Sequence, residues 1–345
     1  MFASRYGRDP SDRLVFHHVP TLSGSWSVRR LSFFLASAVA VRRYRPALDV
    51  VHLHARSLAR FPVVTCHGFP RAARDVVPRP GGGSVSARPG HFRRHRVLRP
   101  LLEYNYRPGR HRALIAVSRR LGDDLIRLCH SAPSTMHVIP NGVDTRRFHP
   151  GGRQIHREQL RRSLGVTERD FLCLFASFSF WLKGLHYLLE AAAHLPLARV
   201  LVVGEDRAYG ERFQQLAVDL GLAERVRFVG AVPDLLPYYA AADALVLPTQ
   251  YDSFGLVITE AMASGLPVVC TRAAGASELI TDGIDGLLID QASDVSAISE
   301  RIRLLHEDGR FRTAMSGHAR ATAELYCWEN IAQRTLEVYQ EVTRQ

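Results

Sequence analysis

The feature that most constrains this chain is an alternation. Short runs of β-branched and apolar residues recur between segments of helical spacing, and in the second half the pattern is nearly unbroken. Strands are expected near 171–176, 199–203, 226–229, 244–247, 267–270 and 286–289. Helices are expected near 184–194, 211–220, 235–241 and 254–263, then at 295–306, 310–325 and 328–342. Such an order specifies an α/β fold with a parallel, doubly wound sheet. The first half repeats it less cleanly, with strands near 1–6, 13–19, 49–54, 62–66, 112–117 and 136–139 and helices at 28–44 and 119–129. The stretch 69–95, rich in Pro, Gly and Arg, reads as a long loop, and helical patterning resumes near Val97. Two doubly wound lobes follow, and 345 residues are enough for a core in each.

Charge divides the chain in the same place. Residues 1–165 carry 30 basic and 9 acidic side chains, net +21, and the remaining 180 carry 15 and 24, net −9, which together give the +12 of the whole. The basic half suits an anionic partner, either a phospholipid surface or a lipid-diphosphate acceptor. Nucleic acid would rest on charge alone and is not expected. Because 44 of the 45 basic residues are arginine, an arginine-rich solvated surface accounts for the excess equally well. The same count isolates Lys183 as the single lysine, a compact ammonium in a chain that elsewhere uses the planar fork. The five cysteines lie far apart and indicate neither a disulfide framework nor a zinc site. No apolar run reaches the ~20 residues that span a bilayer. The arginine-flanked run 31–41 reads as a core helix rather than one lying on a membrane. The opening residues, with Arg5, Arg8, Asp9 and Asp12, do not read as a secretory leader. A cytoplasmic protein is expected, with at most peripheral membrane contact through its basic half.

Within the second half, residues 244–269 read ALVLPTQYDSFGLVITEAMASGLPVV. A strand ends at Leu247, 248–253 breaks it, 254–263 has helical spacing, and Gly265 with Pro267 stops the helix. Asp252 stands at the mouth of that helix and Glu260 eight positions later, a little over two turns along. At the carboxyl end of a parallel strand, a helix start with bare N–H groups suits phosphate. Acids at both ends of the stretch then suit the hydroxyls that flank a diphosphate. On spacing alone, two surface acids on a core helix explain the pair as well.

Together with Gly255, Leu256, Ala261, Met262, Gly265 and Pro267, the Asp252, Glu260 pair resembles the E-x7-E signature of retaining glycosyltransferases of the GT-B fold, family four. The resemblance implies two Rossmann-like lobes facing a cleft. Residues 1–150 would form the acceptor side, 151–327 would hold the nucleotide sugar, and 328–345 would cross back to the first lobe as a terminal helix. The string IPNGVDTRRFHP, 139–150, resembles the family's interlobe segment, with a hinge expected near 145–168. The family's first strand and glycine-rich loop have no counterpart here, so the first lobe is expected to lack them.

By the same resemblance Asp252 lies near the donor sugar, one methylene shorter than the usual Glu, and Glu260 binds the ribose. Lys183, followed by Gly184, falls on the donor diphosphate, but the arginine expected five residues earlier is Phe178, which offers neither charge nor hydrogen-bond donor. Phe254, Gly255 and Leu256 open the phosphate-seeking helix. Val232 lies in GAVPDLL, which resembles the base-reading loop, and Gly275 follows a strand where it would line the sugar pocket. His67, at the end of the strand 62–66, would orient the transferred sugar and leaving phosphate; His52 and His54, alternating on the strand before it, read as core packing.

The expected function is metal-independent, retaining transfer of a hexose to a polysaccharide, lipid-linked or envelope acceptor. The donor substrate is a nucleotide diphosphate sugar and no cofactor is expected. A fixed cation and helix N–H groups can neutralise the leaving diphosphate, and the chain has no Asp-x-Asp triplet for a metal-dependent alternative. Two rivals are a non-catalytic nucleotide-sugar-binding subunit, favoured by Phe178, and a sugar-nucleotide epimerase.

Overall fold

A computed structural model describes residues 2–3, 17–23, 26–44, 47–54, 60–69, 71–72 and 103–344. Strands β1 (Phe2–Ala3) and β2 (His17–His18) pair in parallel as a small separate sheet, followed by helix α1 (Trp26–Tyr44). Four parallel strands then form the first main sheet: β3 (His52–Leu53), β4 (Val63–Cys66), β5 (Ala113–Ala116) and β6 (Met136–Val138), in that spatial order. Helix α2 (Arg119–Cys129) joins β5 to β6. Ser118 caps it, its Oγ accepting from Leu121 N at 3.2 Å, and His130 ends it in the left-handed region at φ 57°.

The second lobe runs α3 (Gly152–Ser163), β7 (Phe171–Ala176), α4 (Leu185–Ala193), β8 (Ala198–Val203), α5 (Gly210–Asp219), β9 (Val226–Gly230), α6 (Leu236–Ala241), β10 (Ala244–Leu247), α7 (Leu256–Ala263), β11 (Val268–Thr271) and β12 (Leu287–Ile289). Its six strands are parallel in the order β12-β11-β10-β7-β8-β9, which doubles back at β7 and β10 as a doubly wound sheet does. β7, β10 and β11 are buried along their whole length, and so read as continuous apolar runs rather than alternating ones. Helices α8 (Val295–Glu307) and α9 (Gly309–Leu325) close this lobe.

The last helix, α10 (Trp328–Arg344), returns to the first lobe. It lays Ile331, Val338 and Val342 on Val63, Ala113 and Ile115 of the first sheet, and Arg334 Nη2 donates to Val138 O at 2.9 Å. The chain therefore passes between lobes twice, and the passages touch: Val143 N donates to Tyr326 O at 3.0 Å, and Gly142 packs flat on Trp328, where a Cβ would lie 2.5 Å from the indole.

Two expectations need correcting, and the expected hinge segment 145–168 contains α3. The helix expected from Phe254 begins at Leu256, because Gly255 adopts φ 97° as its N-cap. The run 31–41 is not a fully buried helix: α1 buries Ser37 and Val41 but exposes Leu31, Leu35 and Val39. Most of the expected loop 69–95, and the helical start near Val97, lie outside the described residues. No described helix is long and apolar enough to cross a membrane.

Candidate functional site

The carboxyl ends of both sheets face one cleft, and the second lobe contributes the loops after β7, β9, β10 and β11. Lys183 is placed by a backbone that only glycine allows next to it. Gly184 has φ 75°, and a Cβ there would sit 1.9 Å from Pro248 O. The β7 and β10 loops are thereby pressed together, and Gln250 fastens them by donating from N to Leu182 O and from Nε2 to Trp181 O, at 2.9 and 2.8 Å. Lys183 Nζ then lies 2.5 Å from Asp252 Oδ2 and donates to Tyr251 O at 3.2 Å.

Asp252 is held from several sides. Its N–H donates to Ala273 O at 3.1 Å, its carbonyl accepts from Gly275 N at 3.0 Å, and its Oδ1 accepts from Phe254 N at 3.2 Å. The N–H of Phe254 is therefore occupied, and its ring is buried in the core; the expectation of a bare donor there is corrected. Gly255 meets Asp252 closely, a Cβ on it falling 3.2 Å from Oδ2, and Leu256 stays exposed at the start of α7. Glu260 lies one helix face further on, its Oε2 accepting from the Tyr239 hydroxyl at 2.8 Å. Burial raises the Glu260 carboxyl above its usual range, opposed by the Tyr239 bond and by Arg147. The Tyr239 phenol is pushed well up by the same burial and by the carboxylate beside it. Val232 is half-buried against the core in the loop after β9.

On the first lobe, His67 follows β4 and is exposed. Its Nε2 lies 3.0 Å from His54 Nδ1, and the rings stack at 5.3 Å. Partial desolvation beside the cleft lowers the His67 pKa although the ring stays solvent-accessible, against the effect of a hydrogen bond with Asn141; partial desolvation and the charge of His67 lower His54. His54 is thus a neighbour of the site rather than core packing, which corrects the sequence reading. His52 does pack inward, bonded to Thr65 Oγ1 at 2.7 Å and to Tyr339 OH of α10 at 2.6 Å.

The lobes touch beside this site. Ser118 Oγ donates to Ser253 O at 2.8 Å, and the Tyr251 hydroxyl donates to Asp124 Oδ2 at 3.0 Å. Glu278 reaches across to the first turn of α2 and accepts from the N–H groups of Arg119 and Arg120 at 2.8 and 2.9 Å, a favourable place for a carboxylate. Gly275 belongs to this contact rather than to an open pocket, since a Cβ would fall 2.3 Å from Ser253 O and 2.8 Å from Ser118 Cβ. Phe178 is 71% exposed. A cavity of about 420 Å³ lies at the other end of the first sheet, lined by residues such as Phe61, Arg110 and Val342, away from all of these groups. Among the described residues no cluster of His, Cys, Asp and Glu could hold a metal ion.

The sequence singled out Lys183, Asp252, Glu260 and His67 as candidates; it did not single out Tyr239, Tyr251, Asp124, Ser118 or Glu278, which the structure places beside them. These are joined to the site only through space. The one available signal was the tyrosine run before Asp243, which carries no spacing relation to Glu260.

Two Rossmann-like lobes with this cleft define a GT-B architecture. The model for glycosyl transferases group 1 matches residues 156–322, and that for glycosyltransferase family 4 matches residues 1–147. The chain belongs to this family, the group 1 or family four glycosyltransferases. Among curated relatives, D-inositol 3-phosphate glycosyltransferase 1 of Catenulispora acidiphila is 35% identical over 240 residues, 66% of this chain and 56% of that one. The chain spans about half the length of the curated relatives it matches. Among solved structures, WaaG, a glycosyltransferase involved in lipopolysaccharide biosynthesis, superposes with a TM-score of 0.76 at 21% identity over 98% of this chain and 90% of its own. Anabaena Alr3699/HepE in complex with UDP and glucose superposes with a TM-score of 0.69 at 24% identity, covering 90% of this chain and 76% of that one.

Proposed function

We propose that this protein transfers a hexose, with retention of configuration and without a metal ion, from a nucleotide diphosphate sugar to a hydroxyl of an anionic carbohydrate, polyol phosphate or lipid-linked acceptor. The observation that carries the reading is the contact of Lys183 Nζ with Asp252 Oδ2 at the mouth of α7, with Glu260 on the same helix. Residues 151–327 hold the donor, 1–150 receive the acceptor, and 328–345 tie the two. Glu260 grips the ribose, Val232 and its loop meet the base, and Gly255 and Leu256 let the backbone approach the diphosphate. When the bond from sugar carbon to phosphate oxygen breaks, Lys183 meets the charge gathering on the phosphate. The acceptor oxygen bonds to the same face of that carbon, its proton passing to the departing phosphate oxygen, while His67 orients the reacting groups and Asp252 the sugar.

The curated relatives are named for an inositol phosphate and HepE was solved with UDP and glucose, which makes D-inositol 3-phosphate and UDP-sugars the first pair to test. The basic first lobe fits an anionic acceptor and work at the cytoplasmic face of a membrane. Nucleotide release from a panel of UDP-, GDP- and ADP-sugars, with the product anomer read by NMR and the assay repeated in EDTA, tests each element. Absence of both release and donor binding overturns the reading. The exposed phenyl of Phe178 favours a second one, a nucleotide-sugar-binding subunit without transfer. Calorimetric donor binding with no release selects it.

A further inference from the structure

A nucleoside diphosphate brings at least two negative charges to a site whose lysine is already paired. Lys183 Nζ and Asp252 Oδ2 lie 2.5 Å apart and together are neutral. From the loop before Lys183, Phe178 turns a phenyl ring outward. The opposite wall of the cleft is α2. Its first turn is fastened to the second lobe by Glu278, and one turn later Asp124 accepts from Tyr251 OH.

Arg120, whose N–H is one of the two that Glu278 holds, stands one turn before Asp124. Its guanidinium carbon lies 5.3 Å from the centroid of the Tyr251 ring. Tyr251 thus carries Arg120 over its ring while its carbonyl accepts from Lys183 Nζ. The Nε of Arg120 is buried and has no hydrogen-bond partner among the described residues. Asp124 does not serve it, being shared by Tyr251 OH and by Arg127 Nη2 at 2.7 Å. Arg120 as a whole is only half-buried, so the open part of its guanidinium is reachable from the cleft, and a phosphate oxygen there supplies an acceptor to a charged group that lacks one at Nε. The guanidinium fork also matches two oxygens of a phosphate, which an ammonium does not.

Resting on the donor reading above, we propose that Arg120 supplies the second cation for the donor diphosphate, from the first lobe and across the cleft from Lys183. The donor then bridges the lobes, and the cleft binds it fully only when closed.

The test is calorimetry on the full chain with UDP, GDP and ADP, each against its free nucleoside, which lacks the diphosphate. Arg120→Gln is expected to weaken the best diphosphate on the order of tenfold, the worth of one charge-assisted contact, and to leave the nucleoside unchanged. Phe178→Arg in the Arg120→Gln background restores the diphosphate affinity from the second lobe. Equal loss for diphosphate and nucleoside, or no loss for either, overturns the proposal while leaving the donor reading intact. Failure of the unaltered chain to bind any of the three diphosphates overturns both.

Discussion

Glu260 and Tyr239 show how much of the site a single hydroxyl controls. The carboxyl is raised by burial, and the bond from Tyr239 at 2.8 Å is the first influence opposing that rise. Tyr239→Phe removes the donor without changing the shape, so Glu260 is expected to protonate at a higher pH and to lose its fixed orientation. The acid limb of nucleotide affinity then moves upward, and affinity at neutral pH falls by roughly 1 kcal/mol; calorimetric titration across pH 5–8 reads both. An unmoved acid limb would rule out Glu260 as the group that grips the nucleotide. His186 makes the opposite case. It is stacked on Trp181 at 4.3 Å, buried, and has a partner for neither ring nitrogen among the described residues. His186→Phe keeps the stacking and removes two unsatisfied atoms, so unfolding stability should rise by about 1 kcal/mol, measured by urea denaturation. At this scale the sequence was legible where chemistry follows backbone spacing, as in Lys183 before the obligatory Gly184. It was silent where a partner arrives through space, as Tyr239 does.

Helix α3 was missed for a physical reason. Hydrophobic periodicity finds helices whose inner face is apolar, and this one turns arginines inward, Arg161 buried, Arg157 half-buried and Arg153 still exposed. Arg153, Arg157 and Arg161, spaced four apart, all reach the Asp243 carboxylate, at 3.3, 3.0 and 3.1 Å. Arg161 is 1% exposed and also donates to Ala241 O and Asp170 O at 3.0 and 2.7 Å. Burial alone would raise Asp243; Arg157, the Leu172 N–H and the other two arginines hold it below the usual carboxylate range instead. Asp243→Asn leaves the buried Arg161 guanidinium facing only the exposed Glu168 carboxylate, 3.3 Å from its Nε, and should cost about 3 kcal/mol, seen as an earlier urea midpoint. A midpoint within experimental error of the unaltered chain would mean that the arginines are solvated in the native state. The signal that could have found α3 was arginine at i, i+4 and i+8, a charged stripe in place of an apolar one. By contrast β7, β10 and α7 were placed to within a residue or two, because their composition and their burial agree.

The two lobes share an acid liability. Burial lowers His52 to about 3 and His186 to about 4, from an ordinary value of 6.5, and lowers His111 as well. These rings stay neutral in the fold at pH values where the unfolded chain takes up protons. Their effect is therefore nil above the ordinary value and destabilising below it. Each fully shifted histidine removes up to ~1.4 kcal/mol per pH unit as the pH falls from 6.5 toward its folded value. The melting temperature should accordingly drop steeply between pH 6.5 and 4, and less steeply in His186→Phe. A flat profile over that window would mean the rings titrate as freely as in the unfolded chain. Whole-molecule architecture was legible because alternation and the two motif strings span both halves. The lobe contact through Asp124, Ser118 and Glu278 was not, since nothing in either half alone records which turn of α2 meets which loop.

The paired passages at Val143 and Tyr326 bear on how such a molecule breathes. A single thread between two bodies permits swivelling in every direction, whereas two threads bonded side by side act like a door hung on two pins. One swing stays soft, and torsion or sliding must tear the Val143 to Tyr326 bond and lift Trp328 from Gly142. Of the motions open to two such bodies, a swing about that line disturbs the fewest of these contacts, and it is the one that would bring Asp124 back onto Tyr251.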